Sequence, residues 1–254
     1  MTPLIIRPSQ RPPEERLPQA HGISVTKRLL DILLAGFGLL VTLPLWALIA
    51  LAIKLDSPGP VFYRQERVGQ DRRRRDRRRE RGGAPAPRRA EGAETGPERR
   101  RNDRRLEPGA GQLFHIVKFR SMRTDAEAAG PVWASRNDPR ITRMGGFLRK
   151  SRLDELPQLW NILVGEMSLV GPRPERPYFV KRLMDRFPGY KGRLQVPPGL
   201  TGLAQIERAY DEDEDDVRRK LAYDLFYIDH RHILVDLKIL VRTVGVVLGR
   251  KGAR

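Results

Sequence analysis

The sequence lacks cysteine altogether and contains only four histidines, at positions 21, 115, 230 and 232. The absence of cysteine excludes disulfide bonds and metal sites built on thiolates, and it is compatible with a reducing compartment. The histidines do not have the spacing of a zinc site. The sequence therefore argues against a metal centre of the cysteine and histidine type.

Acidic residues are too few to balance the basic ones. The chain has 31 Asp and Glu against 49 Lys and Arg, which gives a formal net charge of +18. Residues 70–112 are rich in arginine and carry a large share of this excess, but the rest of the chain is basic as well. A strongly basic chain indicates anionic partners: phosphorylated substrates, anionic lipid or nucleic acid.

Charged residues are also missing from residues 32–53. As a helix this stretch would be about 33 Å long, enough to cross a bilayer. It lacks the cleavage site of a signal peptide. Pro44 near its middle would bend the helix, and basic residues flank both ends, so charge indicates no orientation. A single crossing and a re-entrant hairpin, in which Thr42 could satisfy a carbonyl group freed by the proline, both stay open.

The whole chain is predicted to consist of three parts. Residues 1–24 are proline-rich and form a flexible arm, residues 25–55 form the membrane helix, and residues 56–254 form the folded domain. This domain is predicted to be mainly α-helical with a small β-hairpin, an α+β fold. The arginine-rich segment 70–112 lies between two strand-like runs and has almost no apolar residues, so we expect a disordered insert at the hairpin tip.

Two further patterns come from the C-terminal half. Residues 168–174 and 196–202 are rich in proline and glycine and are predicted to be loops. A last helix over about residues 233–248 carries an apolar stripe. The stripe contains Leu234, Leu237, Val241, Val244 and Leu248. We expect it to pack against the protein, with the membrane interface as the alternative.

Two adjacent carboxylates, Asp154 and Glu155, stand out in this basic chain. Pro157 is tolerated only in the first turn of a helix, so a helix over residues 156–164 would begin near the acids and use Asp154 as its N-cap. The same position suits chemistry, because a helix N-terminus attracts phosphate and keeps a carboxylate nucleophile ionised. The residues alone favour the capping role and leave the catalytic one open.

Several motifs together resemble one family. They are FHIVKFRSM, LRKSRLDELPQLWN, MSLVGPRP, PPGLTGLAQ and DLFYIDHRHILVDLKIL, in this order behind the apolar segment. The chain resembles the bacterial sugar transferases, monotopic phosphoglycosyl transferases that act on polyprenyl phosphate. The resemblance covers about residues 25–250 apart from the insert. It implies transfer of a sugar phosphate from a UDP-sugar to undecaprenyl phosphate, release of UMP and a requirement for Mg²⁺.

The resemblance also implies roles for particular residues. Asp154 would attack the sugar-bearing phosphate and form a covalent intermediate, and Asp154 and Glu155 would hold the metal. Arg149 and Arg173 would bind phosphate groups. The basic residues of FHIVKFRSM, Lys118 and Arg120, are further candidates for phosphate binding.

The family's membrane element is a re-entrant helix broken at a proline, which matches Pro44. The resemblance thus implies a monotopic protein of the bacterial inner membrane, with its catalytic domain in the cytoplasm and in contact with lipid. Two departures matter: Leu43 stands before the proline, where relatives often have serine, and the long insert is unusual.

Two other functions are considered. One is a membrane-anchored protein that binds RNA or anionic lipid through the arginine-rich insert, although nucleic acid is not the expected partner. The other is a membrane-bound, Mg²⁺-dependent phosphatase that uses Asp154. No residue in the sequence distinguishes among glucose, galactose and N-acetylated sugars as the transferred group.

Overall fold

The computed structural model describes residues 24–71, 111–128, 138–207 and 214–249. The predicted arm (1–24) apart from Ser24, and the insert (70–112) apart from its end residues, lie outside these ranges. The helices within them are α1 (Val25–Asp56), α2 (Arg143–Lys150), α3 (Gln158–Val164), α4 (Pro177–Arg186), α5 (Leu203–Glu207), α6 (Glu214–His230) and α7 (Ile233–Leu248). The strands are β1 (Phe62–Val68), β2 (Leu113–Phe119), β3 (Ser168–Val170) and β4 (Gly199–Thr201), and two 3₁₀ segments cover Leu153–Glu155 and Pro188–Gln195.

The predicted fold class, mainly α-helical with a small β-hairpin, is confirmed. Strands β1 and β2 pair antiparallel, with Phe62 opposite Phe119 and Val68 opposite Leu113. The insert therefore leaves and re-enters the fold at the open end of this hairpin, where the Gly69 amide donates to the Gln112 carbonyl at 2.8 Å.

The structure corrects the prediction that residues 168–174 and 196–202 are only loops. Each contributes a three-residue strand, β3 and β4, which pair in parallel with Ser168 opposite Gly199. Glycine is required where the two segments meet, because a Cβ at Gly199 would collide with the backbone of Gly171. Such short strands, flanked by prolines, give no alternating apolar pattern in the sequence.

Helix α1 is continuous for 32 residues, and Pro44 lies inside it without ending it. The helix is about 48 Å long. The Thr42 hydroxyl donates to the Gly38 carbonyl at 2.7 Å. Pro44 leaves the Leu40 carbonyl without an amide donor. The sequence suggested that Thr42 could bond such a freed carbonyl, but its hydroxyl bonds Gly38 instead.

One stripe of α1 packs against the rest of the protein along nearly the whole helix. It consists of Arg28, Asp31, Ala35, Leu39, Thr42, Trp46, Ile49 and Ile53, which are all buried or half-buried. The polar residues at its start bond α3 and β3: Arg28 donates to the carbonyls of Ile162 and Leu163, both at 2.6 Å, and Asp31 accepts from the Leu169 amide at 2.9 Å. Ile49 and Ile53 share a small apolar cluster with Phe119 and Leu148.

The opposite side of α1 exposes large apolar side chains. Leu33, Phe37, Leu40, Leu48 and Leu55 are each more than 60% exposed. Within the described residues, α1 is the single helix long and apolar enough to cross a membrane by length and composition. One side of α1 is thus packed along the protein, and the other presents apolar side chains.

Helix α7 corrects a second prediction. The residues of its apolar stripe were expected to pack against the protein, but Leu234, Val241 and Val244 are 59%, 73% and 58% exposed. The packed side of α7 instead contains Asp236 and Ile239, which are 1% and 2% exposed. A helical stripe predicts that its residues lie on one face of the helix but does not show which face packs on the core. Asp236 is charged, so the pattern alone would place it in solvent.

Arg120 fixes the C-terminal end of α1. Its guanidinium donates to the carbonyls of Ser57 at 2.7 Å and Pro58, and more weakly to Ile53 at 3.5 Å. The carbonyls of Ser57 and Pro58 directly follow the last turn of α1, so the arginine acts as a cap from a neighbouring strand end.

We expect Arg120→Met to lower the free energy of unfolding by about 2 kcal/mol, because it removes charged hydrogen bonds from a buried arginine to partly buried carbonyls. The measurement is thermal unfolding of the purified protein in detergent. Arg123→Met is the matched control, since Arg123 is exposed and pairs only with the nearby Asp125 among the described residues. Equal stability of the two variants would contradict the capping role.

Candidate active site

The two carboxylates lie in a tight turn and not at the N-cap of an α-helix. Leu153–Glu155 forms a 3₁₀ segment, and α3 begins only at Gln158, with Pro157 in the N-cap position. The predicted capping role of Asp154 is therefore wrong, because Pro157 stands directly before the α-helix and the acids lie one turn upstream. The predicted end of the helix at Gly165 is confirmed, with φ of 86°.

Arg152 holds the turn in an unusual conformation. Its φ is 60°, the only left-handed non-glycine value among the described residues. This conformation costs a non-glycine residue about 1 kcal/mol, and strained conformations of this kind cluster at functional sites. It brings Glu155, whose amide bonds the Arg152 carbonyl at 3.2 Å, into the protein interior.

Glu155 is held by two cations from different elements. Lys118 on β2 lies 3.1 Å from its Oε1, and Arg173 in the loop after β3 lies 2.7 Å from the same atom. Burial would raise the pKa of Glu155, but Arg173 and Lys118 outweigh it and hold this pKa well below its usual range. Glu155 is therefore ionised and fixed in position.

Asp154 differs from its neighbour because it has no such partner. It is 7% exposed, and its carboxylate makes no hydrogen bond or ion pair within the described part of the chain. Burial raises its pKa, and the charge of Glu155 raises it further, against the opposing effects of Lys118, Arg149 and Arg173. Its free oxygens leave Asp154, and not Glu155, available to attack a substrate.

Unused donors surround the free carboxylate. Nη1 of Arg149 is buried and has no hydrogen-bond partner, and Arg173 uses only Nη2 on Glu155 among the described residues. Arg149 interacts electrostatically with both Asp154 and Glu155. Guanidinium groups with free donors next to a carboxylate can bind the oxygens of a phosphate group.

The structure thus brings together five of the six predicted polar site residues. These are Asp154, Glu155, Arg149, Arg173 and Lys118. Arg120 is the exception and corrects the sequence-based grouping, since its guanidinium caps α1 and does not point to the carboxylates. Arg120 is two residues after Lys118, and β2 ends between them. Lys118 therefore contacts Glu155, whereas Arg120 contacts the end of α1.

The carboxylate pair offers oxygen ligands of the kind that Mg²⁺ prefers. The described residues contain no group of three or more His, Asp or Glu side chains that could hold a metal ion. Mg²⁺ commonly binds one or two carboxylates together with substrate phosphates. The free oxygens of Asp154 suit this arrangement.

A second charged network, which sequence reasoning missed, holds the loop that carries Arg173. Arg193 is buried, pairs with Asp224 at 2.7 Å and donates to the Arg173 carbonyl at 3.1 Å. Arg67 donates to the Pro174 carbonyl at 2.9 Å, and Lys220 lies 3.2 Å from Glu175. These partners are far apart in the sequence, and only the position of Glu175 beside the MSLVGPRP motif could have suggested its part.

The network makes stability depend on pH. Burial alone would raise the pKa of Glu175, but Lys220, Arg193 and Arg67 outweigh it and hold the pKa at about 2, against 4.5 for a free glutamate. Because this pKa is depressed in the folded state, the stabilisation is complete above about pH 4.5 and is lost as the pH falls towards 2. We expect the free energy of unfolding to fall across this range.

Denaturant unfolding at a series of pH values measures this effect. In Glu175→Gln, the loss of stability between pH 4.5 and 2 should be smaller than in the wild type, by up to about 3 kcal/mol. Glu127→Gln is the control, because Glu127 is half exposed and pairs with Arg176 at the surface. The same pH dependence in Glu175→Gln and the wild type would exclude this role.

Comparison with known proteins identifies the family of this chain. A sequence model of the bacterial sugar transferases matches residues 23–82 and 93–250. The chain belongs to the bacterial sugar transferase family. All five residues that the structure gathers at the site lie within the matched ranges.

Individual relatives are more than one third identical to this chain over the aligned residues. UDP-N-acetylgalactosamine-undecaprenyl-phosphate N-acetylgalactosaminephosphotransferase of Aeromonas hydrophila is 36% identical over 228 residues, covering 90% of this chain and 45% of that protein. UDP-glucose:undecaprenyl-phosphate glucose-1-phosphate transferase of Caulobacter vibrioides is 37% identical, covering 89% and 71%. The exopolysaccharide production protein PSS of Rhizobium leguminosarum bv. phaseoli is 35% identical, covering 89% and 96%.

The chain therefore spans less than half of the Aeromonas phosphotransferase but nearly all of the Rhizobium protein. The names of the first two relatives specify different sugars on the same lipid acceptor.

Proposed function

We propose that this sugar transferase moves a sugar phosphate from a UDP-sugar to undecaprenyl phosphate, as the first step in building a surface glycan such as an exopolysaccharide. The observation that carries the proposal is the difference between the two carboxylates. Glu155 is fixed by Lys118 and Arg173, whereas Asp154 is buried, unpaired within the described residues and surrounded by cations. The names of the relatives support the donor and acceptor classes.

The reaction would proceed in two displacements at one phosphorus atom. A carboxylate oxygen of Asp154 attacks the phosphorus that carries the sugar, the bond to the bridging oxygen of the diphosphate breaks, and UMP leaves. An oxygen of undecaprenyl phosphate then attacks the same phosphorus and releases the Asp154 carboxylate. This yields undecaprenyl diphosphate sugar and restores the enzyme.

The neighbouring residues would supply binding and charge. Arg149 and Arg173 have unused donors for phosphate oxygens, and Lys118 adds positive charge while it holds Glu155. Mg²⁺, when bound, would be held by Asp154 and Glu155 and would neutralise charge on the diphosphate. Phosphoryl transfer between two polyanions depends mainly on such positioning and neutralisation.

The placement of α1 supports a position at the membrane surface. Both ends of the helix are bonded to the same folded domain, through Arg28 at the start and the carbonyls that accept from Arg120 at the end. We propose that the helix enters one leaflet and returns, or lies in it, with Pro44 at the point of greatest flexibility. The site would then face the cytoplasm, where the UDP-sugar is made, and lie at the level of the lipid phosphate.

The proposed function is tested by incubating the purified protein with a panel of UDP-sugars, undecaprenyl phosphate and Mg²⁺. We expect UMP release together with transfer of the labelled sugar into the lipid phase, for at least one sugar. Free sugar phosphate in place of labelled lipid would favour the phosphatase. No reaction with any UDP-sugar in the presence of lipid and metal would contradict the proposal.

Removal of the arginine-rich insert separates the transferase from the RNA-binding alternative. Deleting residues 72–110 and joining the ends by a short glycine linker should leave the transfer rate within about threefold of the wild-type rate. The reason is that Gly69 and Gln112 are already paired, which closes the hairpin without the insert, and that the site residues lie outside the insert. The measurement is UMP release beside binding of a labelled RNA. Complete loss of transfer with intact folding would contradict the expectation.

A further inference from the structure

Helix α7 has three sides of different character. The side that contains Asp236 and Ile239 is buried in the protein. A second side carries the exposed stripe Leu234, Leu237, Val241 and Val244, which we call the α7 stripe; these residues are 59%, 41%, 73% and 58% exposed. A stripe of four exposed aliphatic residues over three turns is unusual for a surface that faces only water.

The third side of α7 is basic. Lys238 and Arg242 are exposed and lie one turn apart beside the stripe. Arg242 pairs with Glu207 at 2.6 Å, while Lys238 has no ion pair among the described residues. Apolar residues flanked by basic ones along a helix are typical of helices that lie in a membrane interface, where the basic side chains reach the lipid head groups.

The α7 stripe lies close to the membrane helix. Lys27 at the start of α1 is 2.7 Å from Asp236 in the first turn of α7, so the N-terminal turns of the two helices are side by side. Tyr227 donates to the other Asp236 oxygen at 2.7 Å and fixes this junction from α6. The exposed apolar surface of α1, which includes Leu29 and Leu33, begins within two turns of the same ion pair.

We propose that the α7 stripe is a second membrane contact, which rests among the lipid head groups and upper acyl chains of an anionic bilayer. The proposal rests on the membrane placement of α1 given under the proposed function. Anionic lipid is the occupant that fits, because it supplies hydrocarbon for the stripe and negative charge for Lys238 and Arg242. With α1 and α7 both in contact with lipid, the folded domain would be held in one orientation and could not pivot about a single helix.

The absence of cysteine from the chain makes site-specific labelling direct. Single cysteines at Val241, at Leu40 on the exposed side of α1 and at Asp185 on the exposed surface of α4 would each carry an environment-sensitive NBD fluorophore. The labelled full-length proteins are reconstituted in phosphatidylcholine vesicles with or without phosphatidylglycerol. Emission wavelength and reduction by added dithionite report whether each label is in lipid or water.

We expect the labels at positions 241 and 40 to emit at shorter wavelength than the label at 185 and to react several-fold more slowly with dithionite. Lys238→Ser should reduce the shielding at 241 in vesicles that contain phosphatidylglycerol and leave position 40 unchanged. A label at Val244 provides a second reading of the stripe, should the one at 241 disturb folding.

Three outcomes would overturn the inference. If 241 and 244 react as fast as 185 while 40 is shielded, α7 faces water and the membrane placement of α1 stands. If 40 also reacts fast, the membrane placement in the proposed function fails together with the inference. If shielding at 241 depends on the ratio of protein to lipid and not on phosphatidylglycerol, a second copy of the chain covers the stripe.

Discussion

Replacing Asp154 by asparagine is expected to lower the rate of sugar-phosphate transfer by roughly 10³-fold or more, as loss of a covalent nucleophile commonly does. Asparagine keeps the size of the side chain but has no carboxylate oxygen that can form the acyl phosphate. The change should have little effect on folding, because the Asp154 carboxylate makes no hydrogen bond or ion pair among the described residues. The measurement is UMP release under saturating UDP-sugar.

Covalent labelling distinguishes loss of the nucleophile from loss of binding. Wild-type protein incubated with a sugar-labelled UDP-sugar in the absence of lipid acceptor should retain label after denaturation, and Asp154→Asn should retain none. Asp125→Asn is the matched control, since Asp125 is an exposed aspartate that pairs with Arg123 away from the site. Wild-type turnover or equal labelling in Asp154→Asn would show that another residue is the nucleophile.

The carboxylate pair could be predicted from the sequence, but its conformation could not. Adjacent acids in a basic chain, together with the neighbouring motifs, were sufficient to select Asp154 and Glu155. Whether they cap an α-helix or lie in a 3₁₀ turn depends on Arg152, whose left-handed conformation is not one that a propensity for arginine indicates. Local sequence patterns were therefore sufficient to select the two carboxylates, whereas the backbone conformation at Arg152 determines how they lie.

Residues that act over long sequence separations were harder to predict. Lys118 and Arg120 belong to one motif, yet Lys118 bonds Glu155 and Arg120 bonds the end of α1. The α7 stripe was likewise predicted to pack against the protein, but its residues are exposed. In each case, tertiary contacts determined which face of an element is buried, and the periodicity of one segment carries no information about them.

The packing of α1 against α3 would link the proposed membrane position of α1 to the proposed active site. Helix α3 begins three residues after Glu155, and its residue Leu159 packs against Gly38 of α1, where a larger residue would press on the leucine. Arg28 of α1 also bonds the last carbonyls of α3. The depth of α1 in the lipid would therefore fix the height of Asp154 above the membrane, as a lipid-linked acceptor requires.

The largest effect on stability is expected at the buried ion pair of Arg193 and Asp224. Both side chains are no more than 5% exposed, and the Arg193 Nε lies 2.7 Å from the Asp224 carboxylate. Replacing only one of them, as in Arg193→Met or Asp224→Leu, leaves the other charge buried without its partner. Each single variant should therefore lose about 3–5 kcal/mol of unfolding free energy, measured by denaturant titration in detergent.

Replacing both residues at once tests whether the charge pair itself causes this loss. The double variant Arg193→Met/Asp224→Leu leaves no unpaired charge at this position, so it should be at least about 2 kcal/mol more stable than the sum of the single losses predicts. The same cycle at the exposed pair Arg123 and Asp125 should give a coupling below about 1 kcal/mol. Additive losses at Arg193 and Asp224 would mean that packing and the bonds of Arg193 to Tyr190 and the Arg173 carbonyl stabilise this region, and not the ion pair. The double variant also removes the bond from Arg193 to the Arg173 carbonyl, so its transfer rate should be lower than the wild-type rate under the proposal that Arg173 binds phosphate.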